Sequence, residues 1–463
     1  MQIFDAAFYA AALFVFGIGV ANSGVNPHTQ WLLVCASALA IGIYWYRAYR
    51  TIVIASLAAM IAIGFLYDDA WTKKHTEAPI IFEKSIELKG VVRRVETDDK
   101  KQVLRIGQIQ IQTEVYPSYV YGDDLHIKGK IQEPFEKQKN SLLKNGVRGI
   151  MYHPRIEHLG SDKGNQIQAA LLGIKQGVEQ KIKSIFAPQE ASLMIGLLVG
   201  GRGMFDDEFR AKLAASGTSH LVALSGYNII IIAGLIAGIL FLFGVKSHRI
   251  RFVLSVVGIS AFVIATGAES SVVRAAFMGM ILLLADQIGR VYSVRNAIAI
   301  VAAGMLLYNP KLLVFDIGFQ LSFVALLGIV YLEPVVRRWL HLEGDPGVSK
   351  WKKNLATTIA AQLAVLPIIV TAFGTASWIG VIANVLIIGL VPSIMTLGFV
   401  VVLASVFSST LAWMIAFPTS MLLQYVIGII EVADRIGGTP AYHMSIVEIL
   451  AYYAILIFIA KQK

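Results

Sequence analysis

From Leu355 to Ile430 the chain carries no Asp, Glu, Lys or Arg. A stretch of that length cannot cover itself with water-loving side chains, and roughly 20 apolar residues cross a bilayer as one helix. Similar runs recur along the chain. Mean hydropathy is +0.66 and 56% of residues are apolar, against roughly 45–50% in a soluble domain. The expected fold is an α-helical polytopic membrane protein.

The first apolar run, Phe8–Val20, has no Ala-x-Ala-like cleavage site after it and reads as a retained helix. The one cysteine, Cys35, excludes an intramolecular disulfide and argues against a Cys-based metal site. The formal charge of +10 suits loops that touch anionic lipid or a polyanion, and ordinary positive-inside bias accounts for it equally well.

Apolar segments near 4–21, 31–46 and 51–67 open the chain. The Arg47–Arg50 loop is basic and the 22–30 loop is uncharged, which puts the N-terminus in the cytoplasm and sends residues 68–190 outside. That region is charged and strand-like. Residues 86–95 and 102–116 alternate with period 2 in part, Gly122-Asp123-Asp124 punctuates before LHIKGKIQEP, and a short helix at 136–146 precedes a last strand near 148–159. One helix before the last strand fits a small β-barrel of the OB type over 68–163, although strands alone fit other small β folds as well.

Residues 164–217 read as interfacial helices. Ile167, Ala170, Leu171, Ile174, Val178, Ile182 and Ile185 follow the helical period with lysines opposite, so 166–186 lies on the membrane surface or packs on the bundle. Asp206 reads as the N-cap of the next helix. Nine further apolar runs occupy 218–463, with basic clusters that alternate consistently if each is cytoplasmic. The expected count is about 12 crossings, with both termini inside. The run 379–408 is interrupted by Pro392 and reads as a broken or re-entrant pair.

Several segments carry polar groups where a mere anchor needs none. ASGTSHLVALSGYN (215–228) crowds Ser216, Ser219, His220, Ser225, Gly226 and Asn228 ahead of an apolar run; helix packing explains small residues there, and a hydrated path explains the polar ones. Residues 265–280 hold Glu269 and Arg274. An arginine inside a span costs ~2.5–3.5 kcal/mol, so Arg274 faces the bundle interior, either paired with Glu269 or Asp286 or beside a pathway for anions. Asp316 and Gln320 share a helical face at i,i+4. Residues 356–392 contribute Gln362, Pro367, Gly374 and Asn384.

In this order the blocks LMIGLLVGGRGMFDDEFRAKLAASGTSHLVALSGYNI, TGAESSVVRAAFMG, NPKLLVFDIGFQLSF and AAQLAVLPIIVTAFGTASWIGVIAN resemble the ComEC family of competence proteins. The resemblance covers about 190–395. It implies an inner-membrane channel that passes single-stranded DNA into the cytoplasm during natural transformation, alongside an extracytoplasmic DNA receptor and a cytoplasmic helicase-like motor, with membrane lipid around it and no cofactor. It makes Ser216, Ser219, His220, Ser225, Gly226, Asn228, Glu269, Arg274, Asp316, Gln320, Gln362 and Asn384 candidate path-lining residues. The outer domain resembles the family's OB-like domain more loosely, and Arg93, Arg94, Lys128, Lys130, Tyr119 and Tyr121 are its candidate DNA contacts.

Two features depart from the family. Ser225-Gly226-Tyr227-Asn228 stands where Ser-Gly-Leu-His is usual, so any pH-dependent role there is in doubt. The chain also shows no His-x-His-x-Asp-His run of a metallo-β-lactamase-like domain. An enzyme is not expected, since no phosphate loop, metal cluster or nucleophile elbow occurs. The alternative function is transport of a small solute or other anion, which would favour repeated halves with discontinuous helices.

Overall fold

The computed structural model describes residues 3–22, 29, 30, 33, 37, 51–76, 82, 84–97, 101–135, 142–200, 205–219, 226–341, 350–373, 379–437 and 444–461. The chain forms two compact units, 1–166 with 291–320, and 167–290 with 321–463.

In the first unit, α1 (Ile3–Ala21) and α2 (Thr51–Thr76) pack together. Glycine makes the crossing close: a Cβ at Gly17 would lie 2.1 Å from the Ile61 carbonyl oxygen, and one at Gly64 2.2 Å from that of Phe14. Only small residues let two membrane helices approach so far. The same unit holds α9 (Val294–Tyr308), the short α10 (Leu312–Phe315) and the first turn of α11 (Ile317–Tyr331).

Its strands are β1 (Ser85–Val91), β2 (Arg94–Thr97), β3 (Gln102–Ile106), β4 (Ile109–Thr113), β5 (Asp124–Lys130), β6 (Gly149–Tyr152) and β7 (Arg155–Gly160). They form two sheets, ordered β1-β5-β7 and β2-β3-β4-β6. All pairs are antiparallel except β4 with β6. The chain passes from one sheet to the other four times, at Val92-Arg93, between β4 and β5, between β5 and β6, and at His153-Pro154. Alternation places Leu104, Ile106, Ile109 and Ile111 from one sheet against Leu125 and Ile127 from the other in a shared core. Of the helix expected over 136–146, residues 136–141 lie outside the described residues.

The second unit begins with α3 (Gln166–Ile185), the expected amphipathic helix. Its two ends differ. Ile182 and the following Phe186 are buried in the largest apolar core, whereas Ile167 and Ile174 are exposed. Next come α4 (Pro188–Val199) and α5 (Asp207–Ala215). Asp206 caps α5 as the sequence suggests, accepting from the Phe209 N–H at 2.7 Å. Then follow α6 (Gly226–Leu242), α7 (His248–Ala265), α8 (Ser270–Gln287), the remainder of α11, α12 (Glu333–Trp339), α13 (Lys350–Phe373), α14 (Ile379–Ile388), α15 (Val391–Phe407), α16 (Ser409–Ile436) and α17 (Ile446–Lys461).

The chain is a largely helical membrane protein. Among the described residues, four helices are long and apolar enough to cross a bilayer: α7, α8, most of α13, and α16. Two bent pairs raise that number to six: α11 with α12 at 51°, and α14 with α15 at 48°. The second bend is the expected break in 379–408. Pro392 sits in the first turn of α15 and Pro334 in that of α12, where proline's missing N–H has no intrahelical partner to lose. Three shorter apolar helices lie within α1, α6 and α9, and most of the expected crossing at 31–46 falls outside the described residues.

Candidate functional site

Arg274 sits in the second turn of α8, among the buried neighbours Val272, Ala275 and Ala276. Its guanidinium donates to the Ser322 carbonyl on α11 and lies 5.6 Å from the centre of the Phe323 ring. Its buried Nε finds no hydrogen-bond partner, and neither does the adjoining Ser322 hydroxyl. Among the described residues no carboxylate pairs with Arg274. The two expected partners are misplaced for it by helix geometry. Glu269, at the N-cap position, is five residues back, a turn of about 140° around the axis, and Asp286 lies about 18 Å along it. The site is therefore a cation held by a backbone dipole and an aromatic face, with N–H capacity to spare.

The small residues before α6 serve close packing. Gly217 has φ +68°, a left-handed conformation that a side chain would strain. A Cβ on Gly380 of α14 would meet the Ser216 carbonyl oxygen at 3.1 Å and the Gly217 Cα at 3.2 Å. Ser216 is fully buried, and its hydroxyl bonds that of Thr218 at 2.7 Å. Ser219 is exposed, Gly226 opens α6, and His220 and Ser225 lie outside the described residues. Buried Asn228 donates to the Leu197 carbonyl at 3.2 Å, tying α6 to α4. Buried Asn384 donates to the Thr358 hydroxyl at 3.1 Å, tying α14 to α13. Gln362 borders a cavity of about 100 Å³ with Leu366 and Val381.

Asp316 and Gln320 belong to the first unit. Spaced i,i+4 as expected, they turn their polar ends to different partners. Asp316 precedes α11 and caps it, accepting from the Phe319 N–H at 3.0 Å. Its other oxygen lies 3.3 Å from the Lys144 ammonium. Gln320 turns back to donate to the Leu313 and Val314 carbonyls, at 2.9 Å each. Residues that pattern reading missed complete this cluster. Asn309 donates to the Lys144 carbonyl at 2.6 Å, and Lys311 reaches Asn22 at 2.8 Å and Asp68 at 2.9 Å. The block 309–316 thus fastens the loop before β6, the end of α1 and the second half of α2. In the second unit, a further missed residue is Glu190 of α4, buried in the apolar core, where it accepts from Ser420 at 2.6 Å and Gln424 at 2.9 Å.

The six candidate DNA contacts of the β domain do not converge. Tyr119 is 7% exposed and part of the core, so its ring has no free face for a base; burial, then Asp123, raises its phenol above the usual range. Tyr121 accepts from the Asn165 N–H at 3.1 Å and packs on Gly164. Arg93 and Arg94 belong to the β2 edge, whereas Lys128 and Lys130 are on β5 in the other sheet. Lys128 pairs with Glu87 at 2.8 Å, and this hydrogen bond is the first cause that lowers the Glu87 carboxyl. Arg105, which was not singled out by pattern, stands directly opposite Arg94.

A family model described as Competence protein matches residues 197–463. ComE operon protein 3 of Bacillus subtilis (strain 168) is 27% identical over 220 residues, which is 47% of this chain and 27% of that protein. The chain thus spans about a quarter of the length of the curated relative it matches. No solved structure matches.

Proposed function

The chain belongs to the Competence protein family, and on that premise we propose that it is a multi-pass inner-membrane channel passing single-stranded DNA into the cytoplasm during natural transformation. One observation carries the reading: Arg274, inside an apolar span, has no carboxylate partner among the described residues and keeps donor capacity unused. A polyanion cannot shed its water into hydrocarbon, so a path for it needs fixed positive charge with access to water. A structural arginine at that depth is matched by acids or backbone carbonyls, and Arg274 holds the Ser322 carbonyl with its Nε left over.

About 12 crossings with both termini cytoplasmic remain the proposed topology, which leaves the β domain outside. Its strand order and the parallel β4–β6 pair support an OB-type barrel. Within the bundle, Asn228, Gln362 and Asn384 are proposed to flank the path and Ser216 to shape its wall. Single-stranded DNA, a DNA receptor outside and a helicase-like motor inside are the proposed partners. The test is uptake of end-labelled DNA by a deletion strain with and without the restored chain: protected intracellular label should return with the chain, and equal uptake without it would remove the proposal.

A further inference from the structure

Arg94 on β2 and Arg105 on β3 are direct cross-strand neighbours, and the Arg93 N–H donates to the Arg105 carbonyl at 2.9 Å. Like charges set opposite one another on adjacent strands repel. Burial is the first cause that holds the Arg105 guanidinium below its usual range, and the charges of Arg94 and then Arg93 add to it. Among the described residues the one carboxylate paired with any of the three is Glu96, 2.8 Å from Arg94. Among the described residues three cations thus share one acid, an arrangement that asks for an anion.

Position says which anion. Tyr308, the last residue of α9, is near enough to Arg105 to favour its charge once the phenol ionises, and it is 85% exposed. A tyrosine ending an apolar helix marks the level where bilayer meets water. The opposite sheet carries basic residues of its own, with Arg155 directly opposite Lys128, but acids are set among them. There Lys128 pairs with Glu87, and His126 lies 3.5 Å from both Glu87 and Glu157. A cluster of three arginines at headgroup level fits one phosphate. Guanidinium forks match phosphate oxygens.

We infer that Arg93, Arg94 and Arg105 bind the headgroup phosphate of an anionic phospholipid at the membrane surface where α9 ends. The inference rests on α9 lying in the membrane and does not require DNA transport. Occupancy would neutralise the repulsion across β2 and β3 and hold the β domain against the bilayer.

The test is native mass spectrometry of the full-length protein with phosphatidylglycerol or phosphatidylcholine. Wild type should prefer phosphatidylglycerol. R93Q/R94Q/R105Q should lose affinity by about fivefold per arginine, and R93K/R94K/R105K should keep the preference. If the glutamine triple does not accumulate, Arg94→Glu replaces it and should lose the preference. Equal retention of both lipids by wild type, or undiminished phosphatidylglycerol binding by the neutralised variants, would overturn the inference. So would a loss of oligonucleotide binding in phosphatidylcholine nanodiscs with lipid binding intact, which would make the patch a nucleic-acid site. Failed DNA uptake alone leaves the lipid result standing.

Discussion

Lys144, in the loop before β6, pairs with Asp316 at the head of α11 across 3.3 Å, and both side chains are largely buried. Asp316 serves twice, since its other oxygen caps α11 through the Phe319 N–H. Asp316→Ala should therefore cost more than Lys144→Ala. It removes a cap worth about 0.5–2 kcal/mol and also leaves an ammonium without its carboxylate. Asp316→Asn keeps a capping oxygen and should fall between. Thermal unfolding of the purified variants checks the order, and the double Ala variant should lose less than the sum of the two. Equal losses for all three single variants would contradict the double role.

Asp68 and Lys311 make a second buried pair, bridged by Asn22. Breaking a buried pair costs about 3–5 kcal/mol, whereas replacing both members by apolar residues is often neutral. Asp68→Ala should sharply lower the amount of protein in the membrane fraction, and Asp68→Leu combined with Lys311→Met should restore much of it. Immunoblotting decides. A double variant as scarce as Asp68→Ala would mean that the charges themselves are required.

Much of the membrane architecture is legible because helices in lipid must be apolar and breaks need a cause. The uncharged stretch 355–430, the bend at Pro392, the amphipathic period of 166–186 and the Asp206 cap are all local signals. The clusters that organise the protein are not local. Lys144 and Asp316 are 172 positions apart, and Lys311 and Asp68 are 243 apart. Spacing put Asp316 and Gln320 on one helical face, but it did not announce that Asp316 caps the helix. Arg274 was legible as an anomaly, yet its acceptor is a main-chain carbonyl, which no residue pattern announces. Tyr119 follows no strand alternation, being in a loop that folds inward, so its burial could not be read from period 2.

Glu190 is the acid that pattern reading did not bring to the uncharged stretch. Ser420 and Gln424 donate one bond to each of its oxygens. Glu190→Gln retains the size of the side chain and an acceptor for one of these bonds. Glu190→Ala strands both donors in the core, at about 1–3 kcal/mol for each unsatisfied group. Abundance and unfolding temperature should be little changed in the first variant and clearly reduced in the second. Equal loss in both would show that the carboxylate itself is needed.

Arg274 tests the central proposal most directly. Lacking a carboxylate partner among the described residues, it can be changed without stranding a buried acid, and each variant, Arg274→Glu included, is compared at its own measured amount in the membrane because the bond to the Ser322 carbonyl is lost. Uptake of labelled single-stranded DNA, normalised to that amount, should then fall by at least about tenfold, a factor that corresponds to 1.4 kcal/mol. Arg274→Ala should be intermediate and Arg274→Lys closest to wild type, because the path needs positive charge. Uptake by Arg274→Glu equal to wild type at equal abundance would contradict the account.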